Sequence, residues 1–110
     1  MVELQRLVGD RITASPTRIA EFCHRWKIAE FALFGSVLRD DFRPDSDIDV
    51  LVTFASEHTL TWDDWMKMQE EIEALFGRKV DLVSKKYLKN PYRRHEILRT
   101  QKVVYAIEQS

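Results

Sequence analysis

Two aspartates separated by one residue, with a glycine–serine pair upstream of them, are the residues of this chain best suited to chemistry. Asp47 and Asp49 open an apolar run, and Gly35 and Ser36 directly follow an earlier apolar run. Side chains alternate along a strand, so the two carboxylates would project from one face, roughly 6.5 Å apart along the chain. A small-residue turn after one strand and two carboxylates on the next can hold a triphosphate and its magnesium ions. The pattern therefore predicts nucleotidyl transfer.

A third carboxylate, Asp81, lies in the short apolar segment 79–83. If this segment pairs beside the strand of Asp47 and Asp49, about 4.8 Å away, three carboxylates converge on one side of the sheet. Like charges 4 Å apart cost about 1 kcal/mol in bulk water and several times more in a less polar medium, so a cation is needed. Hard oxygen ligands suit Mg²⁺ or Mn²⁺. Two such ions about 3.5–4 Å apart can clamp the attacking oxygen and the leaving pyrophosphate.

The turn that begins at Gly35 offers donors for phosphate oxygens. Glycine permits positive φ and lets a phosphate approach the backbone, while free N–H groups and the Ser36 hydroxyl can donate to it. Arg39 could reach the triphosphate or pair with a neighbouring aspartate, and Ser46 is expected to cap or orient the turn before Asp47. Taken alone, the Gly-Ser pair is also compatible with an ordinary turn, and the two aspartates with a cap and a solvated strand face.

Local patterns predict the elements that must position these residues. Helix-start signals occur at Ser15-Pro16, at Thr61 and at Asn90-Pro91, and the second helix is expected to end at Gly77. Its apolar stripe is predicted to contain Trp62, Trp65, Met66, Ile72, Leu75 and Phe76. Strands are predicted over 30–34, 48–54 and 79–83, and segment 103–107 is either a last strand or the end of the third helix. These elements predict an α/β fold with a small mixed β-sheet flanked by helices.

Composition narrows the class of protein further. A chain of 110 residues is expected to form one domain, 1–110. The net charge of −1 argues against a general polyanion binder. Cys23 is the only cysteine, lies at helical spacing with apolar neighbours and is expected in the core. No apolar run approaches the roughly 18 residues of a membrane span. We therefore expect a cytoplasmic protein without a membrane partner.

The motif as a whole resembles a known fingerprint. Within residues 33–52 the combination of Gly35-Ser36, Arg39 and Ser46-Asp47-Ile48-Asp49 is similar to that of the DNA polymerase β-like nucleotidyltransferase superfamily. The short chain and the run 33–49 look like the minimal nucleotidyltransferases, the MntA-type antitoxins paired with HEPN-domain ribonuclease toxins. Many superfamily members have a glycine after the arginine, where this chain has Asp40; the minimal antitoxins share that departure.

The resemblance implies a polymerase β-like fold and a specific reaction. AMP would pass from ATP to a tyrosine hydroxyl of a cognate HEPN toxin, with pyrophosphate leaving. Asp47 and Asp49 would hold both magnesium ions, and Asp81 would complete the metal site. Gly35 and Ser36 would grip the β and γ phosphates, and Arg39 and Ser46 would be further nucleotide-binding residues.

Two other functions stay open from the sequence. One is an antitoxin that neutralises its partner by binding alone, and the other is nucleotidyl transfer to a small molecule. The basic tract of residues 85–102 could contact triphosphate, RNA or an acidic partner, or be a solvated helix face. Direct binding to nucleic acid is the least favoured of these, because Tyr87 and Tyr92 form no evident stacking platform.

Overall fold

The computed structural model describes residues 15–38, 47–55 and 60–107. Within these ranges the elements are α1 (Pro16–Arg25), β1 (Ile28–Phe34), β2 (Ile48–Phe54), α2 (Trp62–Phe76), β3 (Val80–Ser84), α3 (Pro91–Thr100) and β4 (Lys102–Ala106). Short 3₁₀ turns, Gly35–Leu38 and Lys85–Tyr87, follow β1 and β3. The predicted α/β class is confirmed, with β1 starting two residues earlier than expected and β3 shifted by one.

The helix boundaries are set by the local signals of the sequence. The Ser15 hydroxyl accepts a hydrogen bond from the Arg18 N–H at 3.2 Å and so caps α1. Thr61 and Asp64 form a reciprocal capping box at the start of α2, with bonds of 3.0 and 3.1 Å. Gly77 ends α2 in the left-handed conformation, at φ 71°. The predicted starts of α1 and α2, and the end of α2, are therefore confirmed.

The four strands form one mixed sheet in the order β3-β2-β1-β4. β1 is antiparallel to both β2 and β4, whereas β2 and β3 are parallel. The ambiguous segment after α3 is a strand, because it pairs with β1 through partners such as Leu33 and Lys102. Because β2 and β3 are parallel, both strands begin at the same end of the sheet.

The two faces of the sheet carry different helices. One face packs against α1 and α2 and contains the larger core, including Phe31, Val50 and Leu82. The other face holds a smaller cluster of Ala32, Phe34, Leu51, Leu88 and Ile97, which brings in α3. Because side chains alternate along a strand, Asp49 lies on the same face as Leu51. The carboxylates thus share a face with α3.

The predicted apolar stripe of α2 is partly wrong. The fully buried residues are Met68, Ile72 and Phe76, while Trp62 is 75% exposed and Met66 is 41% exposed. At about 100° per residue, Met66 lies roughly 200° around the helix from Met68, on the far side from the sheet. Trp65 and Leu75 are partly buried and pack against the larger core, so four of the six predicted stripe residues face it and only Trp62 and Met66 do not.

Cys23 is fully buried on α1, as predicted. Burial raises the pKa of its thiol from 9.0 to about 12, because the thiolate is poorly solvated in an apolar core. The unfolded chain therefore loses this proton near pH 9, whereas the folded chain keeps it until about pH 12. Between those values the folded state binds more protons, so this residue lowers the free energy of unfolding as the pH rises.

We therefore expect the wild-type chain to lose stability above pH 9, by at most about 1.4 kcal/mol per pH unit from this thiol. Urea unfolding of wild type and Cys23→Ala across this range measures the effect as the difference between their pH slopes. Identical slopes above pH 9 would contradict a buried neutral thiol.

Among the described residues no helix is both long and apolar enough to cross a membrane.

Candidate active site

Two of the predicted carboxylates lie side by side on neighbouring strands. Asp49 of β2 is in register with Asp81 of β3 in the parallel pair, and strands so paired are about 4.8 Å apart. Asp49 is half-buried and Asp81 is exposed. Asp47 lies immediately before β2 and is exposed. All three therefore lie at the end of the sheet where β2 and β3 begin, so that a ligand can reach them from solvent.

Gly35 stands directly against the Asp49 carboxylate. Its φ is +76°, and a Cβ built on its backbone would lie 2.2 Å from Asp49 Oδ2 and 3.2 Å from Asp49 Cγ. The proximity follows from the sheet, because Phe34, the residue before Gly35, is in register with Asp49. Only glycine fits here, since any other side chain meets the carboxylate and a strained backbone at once. The turn and the carboxylate thus form one wall of a site.

The turn itself is anchored in the core. The 3₁₀ turn Gly35–Leu38 follows β1 without a gap, and Val37 within it is fully buried against the larger core. A buried side chain at this point fixes the turn relative to β1, so the backbone of Gly35 and Ser36 is held beside Asp49. Phosphate binding by this turn stays a prediction. Two other predicted nucleotide-binding residues, Arg39 and Ser46, lie outside the described residues.

The donors present are of the type that Mg²⁺ prefers. Asp47, Asp49 and Asp81 supply carboxylate oxygens at one edge of the sheet. Within residues 15–38, 47–55 and 60–107, no three His, Cys, Asp or Glu side chains are grouped closely enough to hold a metal ion by themselves. Mg²⁺ is usually bound by one or two carboxylates together with waters and substrate phosphates, and Asp49 and Asp81 on neighbouring strands are carboxylates of this kind. The residues therefore fit a magnesium site that the nucleotide completes; the three-carboxylate ligand set stays a prediction.

Parts of the basic tract have structural roles. Arg94 donates to the backbone carbonyls of Lys85 and Leu88, at 3.4 and 3.5 Å, and so ties the start of α3 to the preceding turn. Arg99 pairs with Glu96 one turn earlier on α3, at 2.9 Å. These two arginines have partners that stabilise α3. The other exposed cations of the tract, such as Lys86, Lys89 and Arg93, are the ones open to a ligand or partner.

Gln101 lies at the same end of the sheet as the carboxylates, and the sequence analysis did not identify it. It precedes Lys102, which pairs with Leu33 near the end of β1. Its Oε1 is buried and has no hydrogen-bond partner in the described part of the chain. A buried acceptor without a donor is uncommon. No local pattern reveals it, because its position depends on the register of β4 against β1.

Comparison with known proteins agrees with this geometry. A family model described as a nucleotidyltransferase domain matches residues 18–104. The protein adenylyltransferase MntA of Thermococcus cleftensis is 39% identical over 70 residues, which cover 64% of this chain and 69% of that protein. A solved structure assigned as a minimal nucleotidyltransferase is 33% identical, with a TM-score of 0.67, and the match covers 90% of this chain and 93% of that one.

A toxin–antitoxin complex shares the fold at lower identity. It contains a tri-AMPylated HEPN toxin of Shewanella oneidensis bound to its MNT antitoxin. The matched chain is 19% identical, with a TM-score of 0.60, and the match covers 84% of this chain and 70% of that one. At this identity the likeness concerns the fold alone.

Proposed function

This chain belongs to the nucleotidyltransferase domain family, and from that premise we propose that it is an antitoxin with protein adenylyltransferase activity. It transfers AMP from ATP to a tyrosine hydroxyl of a cognate HEPN ribonuclease toxin and releases pyrophosphate. The single observation that carries the proposal is the contact of Gly35 with Asp49, which is itself in register with Asp81. A phosphate-binding turn against paired carboxylates suits nucleotide chemistry. The name of the Thermococcus relative and the AMPylated toxin of the Shewanella complex support the choice of acceptor.

The first task of the site is to bind the triphosphate. The turn Gly35–Leu38 offers backbone N–H groups, and the absence of a side chain at Gly35 lets phosphate oxygens approach both the backbone and Asp49. The Ser36 hydroxyl is the donor expected for the β and γ phosphates. Val37 keeps the turn in place because it is buried. When the β and γ phosphates bind to the turn, the α-phosphate is directed toward the carboxylates of Asp47, Asp49 and Asp81.

The second task is to bring the acceptor oxygen in line with the leaving pyrophosphate. Asp47 and Asp49 would hold both magnesium ions, and Asp81 would complete the metal site on the acceptor side. When bound, these ions neutralise phosphate charge and lower the pKa of the acceptor hydroxyl. The tyrosine oxygen forms a bond to the α-phosphorus, the bond from that phosphorus to the oxygen bridging to the β-phosphate breaks so that pyrophosphate leaves, and the hydroxyl proton passes to solvent. The exposure of Asp81 keeps that side of the site open to a protein surface.

The proposal is tested by the intact mass of the HEPN toxin after incubation with this protein, ATP and Mg²⁺. We expect increments of whole AMP units on the toxin, located on tyrosine by peptide sequencing. The matched control replaces ATP by α,β-methylene-ATP, whose α–β linkage cannot be cleaved, and should give no increment. A stable complex without any increment would favour the antitoxin that acts by binding alone. Absence of both complex and increment would favour a small-molecule acceptor.

A further inference from the structure

Two tyrosines next to the start of α3 are unusually exposed. Tyr87 is 70% exposed and Tyr92 is 87% exposed. Exposed cations surround them, and the Lys86 ammonium lies 5.8 Å from the centre of the Tyr87 ring. We define the α3 surface as the five exposed residues Lys86, Tyr87, Lys89, Tyr92 and Arg93. Neither tyrosine belongs to the core clusters, so packing does not account for them.

The charge of this surface has one sign. Segment 85–95 contains five Lys or Arg residues and no Asp or Glu. The nearest acid after it, Glu96, already pairs with Arg99. Arg94 is occupied by backbone carbonyls. The positive potential of the α3 surface is therefore not neutralised within its own segment, although the chain as a whole carries −1.

The α3 surface lies on the same face of the sheet as the carboxylates, toward the opposite end of that face. α3 is anchored to that face through Ile97, and the preceding turn through Leu88. Asp49 and Leu51 lie on the same face of β2, as do Asp81 and Val83 on β3. The end of α3, followed by Gln101, lies at the carboxylate end of the sheet, and a helix of ten residues is about 15 Å long. The α3 surface at the start of α3 is therefore about 15 Å from the carboxylates, a distance that a protein presenting a hydroxyl to them can span along this face.

We propose that the α3 surface docks the protein acceptor, through an acidic patch that the acceptor carries about 15 Å from its target hydroxyl. The inference rests on the proposed function and names how its substrate is recognised. Tyrosine and arginine are enriched where protein interfaces are strongest, and complementary charge orients the partner and speeds encounter. RNA is the less favoured occupant, because single strands need a basic groove with successive stacking surfaces and the chain is not basic overall.

The test compares two double charge reversals. Lys89→Glu/Arg93→Glu changes the α3 surface, and Arg18→Glu/Lys67→Glu makes the same charge change at exposed sites on α1 and α2, which lie on the opposite face. Acids near the start of a helix are favourable, so α3 is expected to fold in the first variant. We expect the toxin's KM for transfer to rise at least tenfold with Lys89→Glu/Arg93→Glu and to change little with the control. The Kd for ATP should be unchanged in both.

Two further readouts separate this inference from the proposed function. Titration calorimetry of each variant with the toxin measures docking without transfer, and Tyr92→Ala should also weaken it without affecting ATP binding. If wild type forms the complex but transfers nothing, the proposed activity fails, while selective weakening by the α3 variants still supports docking. Unchanged toxin KM and affinity in Lys89→Glu/Arg93→Glu would overturn the docking surface. So would an equal loss of ATP affinity, or a loss confined to binding of a labelled single-stranded RNA.

Discussion

Replacing Asp47 and Asp49 together by asparagine is expected to abolish adenylyl transfer while leaving the fold intact. The double variant keeps the size of both side chains but removes two negative charges from the edge where β2 begins. Metal ions held there supply several kcal/mol of transition-state stabilisation. A loss of about 4 kcal/mol corresponds to a rate lower by roughly 10³-fold. Initial rates of toxin modification, followed by intact mass at saturating ATP, measure this directly.

The same variant should remain folded although it loses activity. Asparagine keeps the size of each side chain, and at position 49 it lowers the repulsion with Asp81, which is in register with it. We expect a single cooperative thermal transition, as in the wild type. The matched control is Asp63→Asn/Glu70→Gln, which removes two exposed charges from α2 and should transfer normally. Retained activity in Asp47→Asn/Asp49→Asn would exclude the two-metal assignment.

Asp81→Asn is expected to have an intermediate effect on the transfer rate. It removes one carboxylate on the acceptor side and should slow transfer less than the double variant does. A silent Asp81→Asn, in a protein that Asp47→Asn/Asp49→Asn inactivates, would show that another residue supplies the third ligand.

Gly35→Ala is expected to inactivate the site by a different route, through sterics rather than charge. The added methyl group would lie 2.2 Å from Asp49 Oδ2, so either the carboxylate or the turn must move. A displacement of about 1 Å near reacting groups can cost roughly 10²-fold in rate. Because φ is +76°, alanine also carries about 1–2 kcal/mol of left-handed backbone strain. Transfer kinetics and urea unfolding of the same sample separate the two effects.

Gly77→Ala is the control that isolates the strain. Gly77 has nearly the same backbone, φ +71°, but ends α2 rather than standing against a carboxylate. We expect it to lose a similar amount of stability and to keep its transfer rate. If Gly35→Ala and Gly77→Ala lost activity equally, the contact with Asp49 would have no specific role in catalysis.

Much of this protein is determined by signals that lie close together in the sequence. Ser15 and Thr61 cap their helices through bonds to residues three positions away, and Gly77 ends α2 through its own backbone freedom. Alternation along β2 separates Asp49 from the apolar side chains of Ile48 and Val50 without reference to any other strand. Such local signals suffice for the ends of α1 and α2 described above, for the fold class and for the choice of candidate catalytic residues.

Which elements meet was decided by the tertiary structure. The sequence left segment 103–107 as either strand or helix, and only its hydrogen bonds to β1 make it a strand. The predicted stripe of α2 also included Trp62 and Met66, whose exposure depends on how the helix is placed against the sheet.

The site itself is the clearest case of this division. Its residue types follow from the chain, but the pairing of Asp49 with Asp81 requires β3 to add in parallel beside β2. The contact of Gly35 with Asp49 requires β1 to pair with β2 in one register. A shift by a single residue would move each side chain to the other face of the sheet. Register is fixed by burying one apolar face against α1 and α2, a property of the whole core rather than of any local segment.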